Sequence, residues 1–255
     1  MNFNFNEQLA YGYKKATQKV RVMSESWVAD NMFCPCCGQP HIHKLDNNKP
    51  VADFQCIGCG EIFELKSKKG SIGKKINDGA YSTMIERITS TDNPDLFILK
   101  YTKELEVTDL YVIPKFFFVP SIIEKRKPLS STSKRAGWVG CNILVSEIPS
   151  QGRIDIISHG VLSDINDVVN SYSKVRQLQT NNLESRGWLL DVLNCVNKIP
   201  NSEFSLQDVY KYTGVLQAKH TGNHNVEAKI RQQLQILRDK GFIEFLDRGH
   251  YRKKR

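Results

Sequence analysis

Asp53, Glu64 and Lys66 are the residues of this chain whose types and spacing suit metal-assisted hydrolysis. Glu64 and Lys66 flank Leu65. Side chains alternate along a β-strand, so on a strand this carboxylate and this ammonium project from one face. Asp53 lies eleven positions before Glu64. A segment that carries it alongside the same strand brings two carboxylates and one ammonium to a single spot. Two such carboxylates make an oxygen site for Mg²⁺, and the lysine orients and polarises an attacking water. The same three residues also suit a merely solvated, charged strand, so their surroundings decide between the two readings.

Cysteines supply those surroundings. The chain has seven, Cys34, Cys36, Cys37, Cys56, Cys59, Cys141 and Cys195, and the first five crowd into 26 residues. An odd count clustered in this way argues for a metal rather than for disulfides. Cys34-Pro-Cys-Cys37-Gly and Cys56-Ile-Gly-Cys59-Gly are two C-x₂-C knuckles, each ending in glycine. They predict a tetrahedral Zn²⁺ site on Cys34, Cys37, Cys56 and Cys59, with Cys36, His41 and His43 near enough in sequence to be substitutes. Four thiolates leave no open position, so such a zinc is structural. The second knuckle falls between Asp53 and Glu64, where a metal clip fixes the turn joining them.

The elements that must position these groups follow from composition and periodicity. The chain of 255 residues is 40% hydrophobic and 25% charged, with a net charge of +9. That make-up is ordinary for a globular protein, and the charge favours a nucleic-acid partner over a membrane. No apolar run reaches the roughly 18 residues of a membrane span, and the N-terminus has no secretory layout, so a cytoplasmic protein is expected. Residues 4–32 read as helical through Leu9, Tyr13, Ala16 and Val20, with a second short helix starting at Ser24-Glu25-Ser26-Trp27. After Lys66, the basic run Lys68, Lys69, Lys74 and Lys75 sits where a phosphate backbone would lie, or else forms a solvated loop. A helix with Met84, Ile85 and Ile88 on its apolar face leads into two strands at 96–102 and 107–114.

Residues 115–141 have no clear period. They carry Lys125, Arg126, Lys127, Lys134 and Arg135 against the single acid Glu124, with Trp138 between glycines. Basic groups interleaved with an aromatic suit a phosphate backbone with a base beside it, although a tryptophan buried against the sheet is the plainer alternative. A strand at 154–157 and a helix over 164–179 complete this part. The polar run 180–185 reads as a linker.

Beyond it come a helix over 187–198, a second opened by a Ser205 N-cap, a third over 225–240, and a hairpin from Phe242 to Arg252. This is the order of a winged helix-turn-helix. Residues 225–255 hold nine Lys/Arg against four Asp/Glu. On the third helix Val226, Ile230, Leu234 and Leu237 share one face and must pack inward. The other face presents Asn225, Lys229, Arg231, Gln232 and Gln235, amide and guanidinium groups that read purine edges in a major groove. A winged helix that binds protein instead is the alternative.

Asp53, Glu64 and Lys66 match the D-x(n)-(E/Q)-x-K pattern of the PD-(D/E)xK nucleases. Over nearly its whole length the chain resembles one family of these, the methyl-directed type II restriction endonucleases that cut GATC when its adenine is N6-methylated. The resemblance is carried by CPCCG at 34, NNKPVADFQCIGCGEIFELKSKKG from 47, INDGAY from 76, RKPL at 126, RAGWVGCN at 135, SRGW at 185 and KIRQQLQILRDK from 229. It implies an α/β catalytic domain over residues 1–182 with a structural zinc, and a winged-helix domain over 183–255. It also implies catalysis by Asp53, Glu64 and Lys66, with Asp53 and Glu64 holding Mg²⁺ and Cys34, Cys37, Cys56 and Cys59 holding zinc. DNA contacts fall to Lys68, Lys69, Arg126, Lys134, Arg135, Trp138 and the helix residues named above, and the expected partner is double-stranded, adenine-methylated DNA bound by a monomer. Three departures stand out: Ala52 replaces the family's proline before the aspartate, with Pro50 upstream, Cys36 is an extra thiol, and the winged domain differs most over residues 211–224, which bears on the DNA sequence preferred. Two rival functions are a zinc-containing winged-helix regulator without chemistry and a repair nuclease indifferent to methylation.

Overall fold

A computed structural model describes residues 1–46, 52–90 and 93–254. Pro50, with the whole NNKPV run that precedes Ala52, lies outside the described residues. In chain order, α1 (Ala16–Asn31) is followed by β1 (His43–Lys44), β2 (Phe54–Gln55), β3 (Ile62–Lys69), β4 (Ile76–Ala80), α2 (Tyr81–Thr89), β5 (Asp95–Tyr101) and β6 (Val107–Ile113). Then come β7 (Ile123–Lys125), β8 (Gly140–Ile143), β9 (Ile154–Ser158), β10 (Val161–Leu162) and α3 (Ile165–Arg176). The remainder is α4 (Leu183–Lys198), β11 (Glu203–Ser205), α5 (Leu206–Tyr210), α6 (Thr213–Lys219), α7 (Val226–Asp239), β12 (Ile243–Asp247) and β13 (His250–Lys253). Among the described residues no helix is long and apolar enough to cross a membrane.

These elements form two compact units. The first comprises residues 1–76, 82–115 and 151–176, and the second residues 77–81, 116–150 and 177–255. The first unit is built on a mixed sheet of order β1-β2-β3-β5-β6-β9-β10. β3 and β5 are parallel, Phe63 facing Asp95 and Lys69 facing Tyr101, while the other neighbours are antiparallel. β5 is flanked on both edges and covered on both faces, which is why its sequence, LFIL, is apolar without alternation. Phe63 and Phe97 stack with ring centroids 4.7 Å apart on the face shared by the two parallel strands.

The N-terminal helix differs from expectation. Residues 7–10 make only a short 3₁₀ turn, and α1 runs unbroken from Ala16 to Asn31. Ser24 therefore opens no second helix. It lies buried in the middle of α1, its hydroxyl donating to the Arg21 carbonyl at 3.2 Å, a local bond helices tolerate.

In the second unit, residues 116–150 are more ordered than their aperiodic sequence suggests. Phe116 to Val119, Ile122 and Ile123 are all buried, and β7 and β8 pair within a small sheet of order β4-β8-β7. The predicted linker is also shorter. Asn182 caps α4 by accepting from the Ser185 N–H at 2.8 Å, so Leu183 to Ser185 are already helix. Ser205 caps α5 in a reciprocal capping box with Asp208. α6 is a helix the periodicity did not separate, and the hairpin gains a third strand, giving the order β11-β13-β12. On α7 Val226, Ile230, Leu234 and Leu237 are all buried, as its period requires.

The first unit buries several polar groups, Asp95 the most completely. Asp95, fully buried at the start of β5, accepts from the Lys115 N–H at 2.8 Å and from the Tyr172 hydroxyl at 2.6 Å. Burial raises its carboxyl from the usual carboxylate range to about 7. A carboxyl whose folded pKa lies above its unfolded value binds a proton more readily in the folded state. The stability it contributes is therefore lost as pH rises from about 4 through about 7. Asp95→Asn removes that dependence. Relative to the unsubstituted protein, the variant's melting temperature should climb across this window, and a parallel pair of melting curves from pH 4 to 8 would refute the assignment.

Candidate active site and metal centre

The central trio is assembled by strand pairing. Phe54 pairs with Phe63 and Gln55 with Ile62, so the chain entering β2 runs alongside β3. The Asp53 N–H donates to the Phe63 carbonyl at 2.8 Å, and the Leu65 N–H donates back to Asp53 Oδ2 at 2.8 Å. Asp53 is thereby hooked to the residue between Glu64 and Lys66. Lys66 Nζ lies 2.6 Å from Glu64 Oε1, and Arg87 of α2 approaches Glu64 Oε2 at 3.6 Å. Burial pushes the Asp53 carboxyl above its ordinary range. The Leu65 N–H pulls against this shift, Glu25 adds to it, and Arg21 and Lys66 oppose it. The three residues predicted to converge do converge.

Glu25, Arg21 and Arg87 were not foreseen in this site. Glu25 is only 3% exposed and sits on α1 among Ser24, Trp27 and Val28. Arg21 Nε contacts Glu25 Oε1 at 2.5 Å, Lys44 Nζ contacts Oε2 at 2.9 Å, and Arg21 also reaches Asp53 Oδ1 at 3.8 Å. The signal available was the i, i+4 spacing of Arg21 and Glu25 on a helix. Reading a helix start at Ser24 hid it, because an acid in a first turn needs no partner.

This donor set fits a hard divalent cation. Asp53 and Glu64 offer carboxylate oxygens, the ligands Mg²⁺ prefers. Burial raises the Asp53 carboxyl, and a cation beside it would oppose that shift and favour the ionised form.

The cysteine site fits zinc on geometry. The four Sγ atoms of Cys34, Cys37, Cys56 and Cys59 all lie within 4.8 Å of one another. Cys34 and Cys59 are 3.7 Å apart and Cys37 and Cys56 are 3.6 Å apart. A tetrahedron with Zn–S bonds of about 2.3 Å has edges of about 3.8 Å. The two knuckles are built alike. Gly38 N–H donates to the Cys34 carbonyl at 2.8 Å and Gly60 N–H to the Cys56 carbonyl at 2.9 Å. Gly38 and Gly60 take φ of 78° and 77°, the left-handed region where a side chain is strained. Cys36 stands outside the quartet, and His41 and His43 are exposed and do not join it. The second knuckle closes the connection between β2 and β3, so the cysteine quartet holds the turn that carries Asp53 towards Glu64.

The predicted DNA-facing residues divide between the units. Lys68 and Lys69 are exposed at the end of β3, with Lys68 Nζ donating to the Ile72 carbonyl at 3.0 Å. In the second unit Arg126, Lys134 and Arg135 are exposed and Trp138 is half-buried. The Arg135 guanidinium lies 4.4 Å from the Trp138 ring centroid. Gly140 is required here. A Cβ on it would fall 2.8 Å from the tip of the Trp138 indole and 3.4 Å from an Arg126 nitrogen. On α7 Arg231, Gln232 and Gln235 are exposed and Lys229 is half-buried, while Arg231 bonds the Tyr210 hydroxyl. Asn225 serves the helix itself, its side-chain oxygen accepting from the Ala228 N–H at 3.3 Å.

Protein purified without added metal should carry one zinc per chain by elemental analysis. Cys56→Ser should lose it and melt roughly 10 °C lower, the shift that about 3 kcal/mol makes in a unit of this size. Full zinc content in that variant would exclude the quartet as the ligand set.

Two family matches cover almost the whole chain. The Dam-replacing family, DpnI, matches residues 1–181, and its Dam-replacing HTH domain matches residues 184–253. The first match takes in the cysteine quartet together with Asp53, Glu64 and Lys66, and the second takes in α4 to α7 and the three-stranded sheet. With both parts present in order, the chain belongs to the Dam-replacing DpnI family.

Proposed function

We propose that this protein is a Mg²⁺-dependent, methyl-directed type II restriction endonuclease that hydrolyses double-stranded DNA at GATC sites bearing N6-methyladenine. The observation that carries the reading is the convergence of Asp53, Glu64 and Lys66 at the β2–β3 junction of a family member that also has a helix-turn-helix domain. Asp53 and Glu64 would hold the metal, which supplies stabilisation of the charge building on the phosphate. Lys66, fixed by its bond to Glu64, orients the attacking water for in-line displacement. The hook from Leu65 N–H to Asp53 keeps the two carboxylates in register.

Sequence reading falls to two surfaces. The exposed face of α7, with Arg231, Gln232 and Gln235, has the groups that recognise base edges. Trp138, seated on Gly140 with Arg135 over it, offers an apolar face for the N6-methyl group beside cations for the backbone. One methyl in an apolar pocket is worth only about 1–3 kcal/mol. Strong discrimination therefore needs both methyls of the palindrome, or two domains reading the site.

The deciding experiment incubates the protein and Mg²⁺ with one plasmid grown in adenine-methylating and non-methylating hosts. Fragments from the methylated plasmid alone are expected. Cutting of both plasmids would remove methyl reading, and retardation on a gel without cutting would favour a DNA-binding regulator. Lys66→Ala should abolish cleavage while leaving DNA binding largely intact, and full activity in that variant would sink the catalytic assignment. Gly140→Ala should push the indole aside and lower the preference for methylated over unmethylated duplex by about tenfold. An unchanged preference would remove Trp138 from methyl reading.

A further inference from the structure

Arg231 of α7 is restrained differently from Arg238 and Arg252 of the same unit. Its Nη1 donates to the Tyr210 hydroxyl at 2.5 Å, and among the described residues no other hydrogen bond or ion pair holds that guanidinium. Arg238 lies against Asp239 at 2.9 Å and Arg252 against Glu203 at 2.8 Å, so those two groups face carboxylates. A carboxylate takes the planar fork of an arginine and offsets its charge. A hydroxyl does neither. It accepts one N–H, fixes the direction of the group and leaves its positive charge for another partner.

The hydroxyl is itself placed from both ends of α5. Ser205 and Asp208 box the start of the helix, and the Leu206 N–H donates to the Gly249 carbonyl of the hairpin turn at 2.8 Å. At the other end the Tyr210 carbonyl accepts from the Thr213 hydroxyl at 2.7 Å. On α7 the buried Val226, Ile230 and Leu234 set the rotation of the helix and leave Arg231 exposed, with Tyr210 half-buried beside it. A freely rotating arginine loses much rotamer freedom when it meets a base edge, and one already held loses less.

We infer that Tyr210 is a positioning residue that holds Arg231 for bidentate contact with a guanine in the major groove of duplex DNA. Guanine presents two acceptors, N7 and O6, on its major-groove edge, and a guanidinium fork matches them. The Tyr210 bond uses one N–H of Arg231, and those that remain can form such a pair. The inference deepens the sequence-reading role proposed for α7 above and rests on it.

The test uses the full chain and fluorescence anisotropy, without added divalent metal, on a short duplex with one methylated GATC site. A second duplex carries 7-deazaguanine in place of guanine, which keeps the base pair and O6 but lacks the N7 acceptor. The unsubstituted protein should bind the second duplex about tenfold more weakly, the worth of one good base contact. In Arg231→Ala that penalty should shrink to about threefold or less. Tyr210→Phe keeps the ring and should keep the melting temperature. Its affinity for the guanine duplex should fall about threefold, and the penalty on the second duplex should shrink with it. The double variant should bind no more weakly than Arg231→Ala alone, because the hydroxyl acts through the guanidinium. A merely structural tyrosine would weaken binding to both duplexes equally and add its effect in the double variant, and either result overturns the inference. So does an undiminished penalty in Arg231→Ala. None of these outcomes touches the endonuclease reading, which the plasmid digestion judges by cleavage. A chain that binds neither duplex refutes the sequence-reading role of α7 on which the inference rests.

Discussion

Four cysteines that must meet within a few ångströms set the frame for the rest of the first unit. A tetrahedral thiolate site tolerates little error, and here two of its members, Cys56 and Cys59, stand in the connection between β2 and β3. Bringing them to Cys34 and Cys37 therefore fixes how the chain enters β3, and with it the hook from the Leu65 N–H to Asp53. A small sheet edge of two-residue strands has little pairing energy of its own. The cysteine quartet supplies what β1 and β2 lack. The nearby Lys115–Glu61 contact at 2.5 Å adds a second tie from the residue just after the second knuckle to the end of β6.

Charge is the second constraint. Three carboxylates, Glu25, Asp53 and Glu64, occur with four cations, Arg21, Lys44, Lys66 and Arg87. Buried carboxylates without partners are costly, and here each has at least one. The pairing is uneven. Glu25 is nearly enclosed and held from two sides, which suits a fixed scaffold. Asp53 and Glu64 keep partial exposure, with side chains 21% and 20% accessible.

Much of this was legible in the sequence because it depends on local chemistry. C-x₂-C knuckles ending in glycine have one economical geometry, and alternation on a strand obliges Glu64 and Lys66 to share a face. α7 was readable because its four apolar residues keep strict helical spacing. What could not be read depends on tertiary contact. Glu25 looks like any helical acid until the fold buries it, and Arg87 looks like any exposed arginine until α2 lies near β3. Residues 116–123 show no period because all but Pro120 and Ser121 are buried in short turns, which leaves no regular polar face to mark a repeat. α6 escaped notice because seven residues give too few turns for a pattern to declare itself.

The two units are interleaved along the chain, and this has a consequence for how the protein is made. The first unit is not closed until β9 and α3 have joined a sheet begun at β1, and β9 pairs with β6 across the stretch that holds β7 and β8. The second unit takes in residues 77–81 and 116–150 yet finishes only at the C-terminus. A ribosome releasing this chain therefore cannot complete the units one after the other. Long-range closures of this kind fold slowly, and exposed strands must wait for their partners. For the nuclease proposed above, such a delay would be protective, because Asp53 and Glu64 emerge early but the sheet that holds them is unfinished until about a hundred residues later.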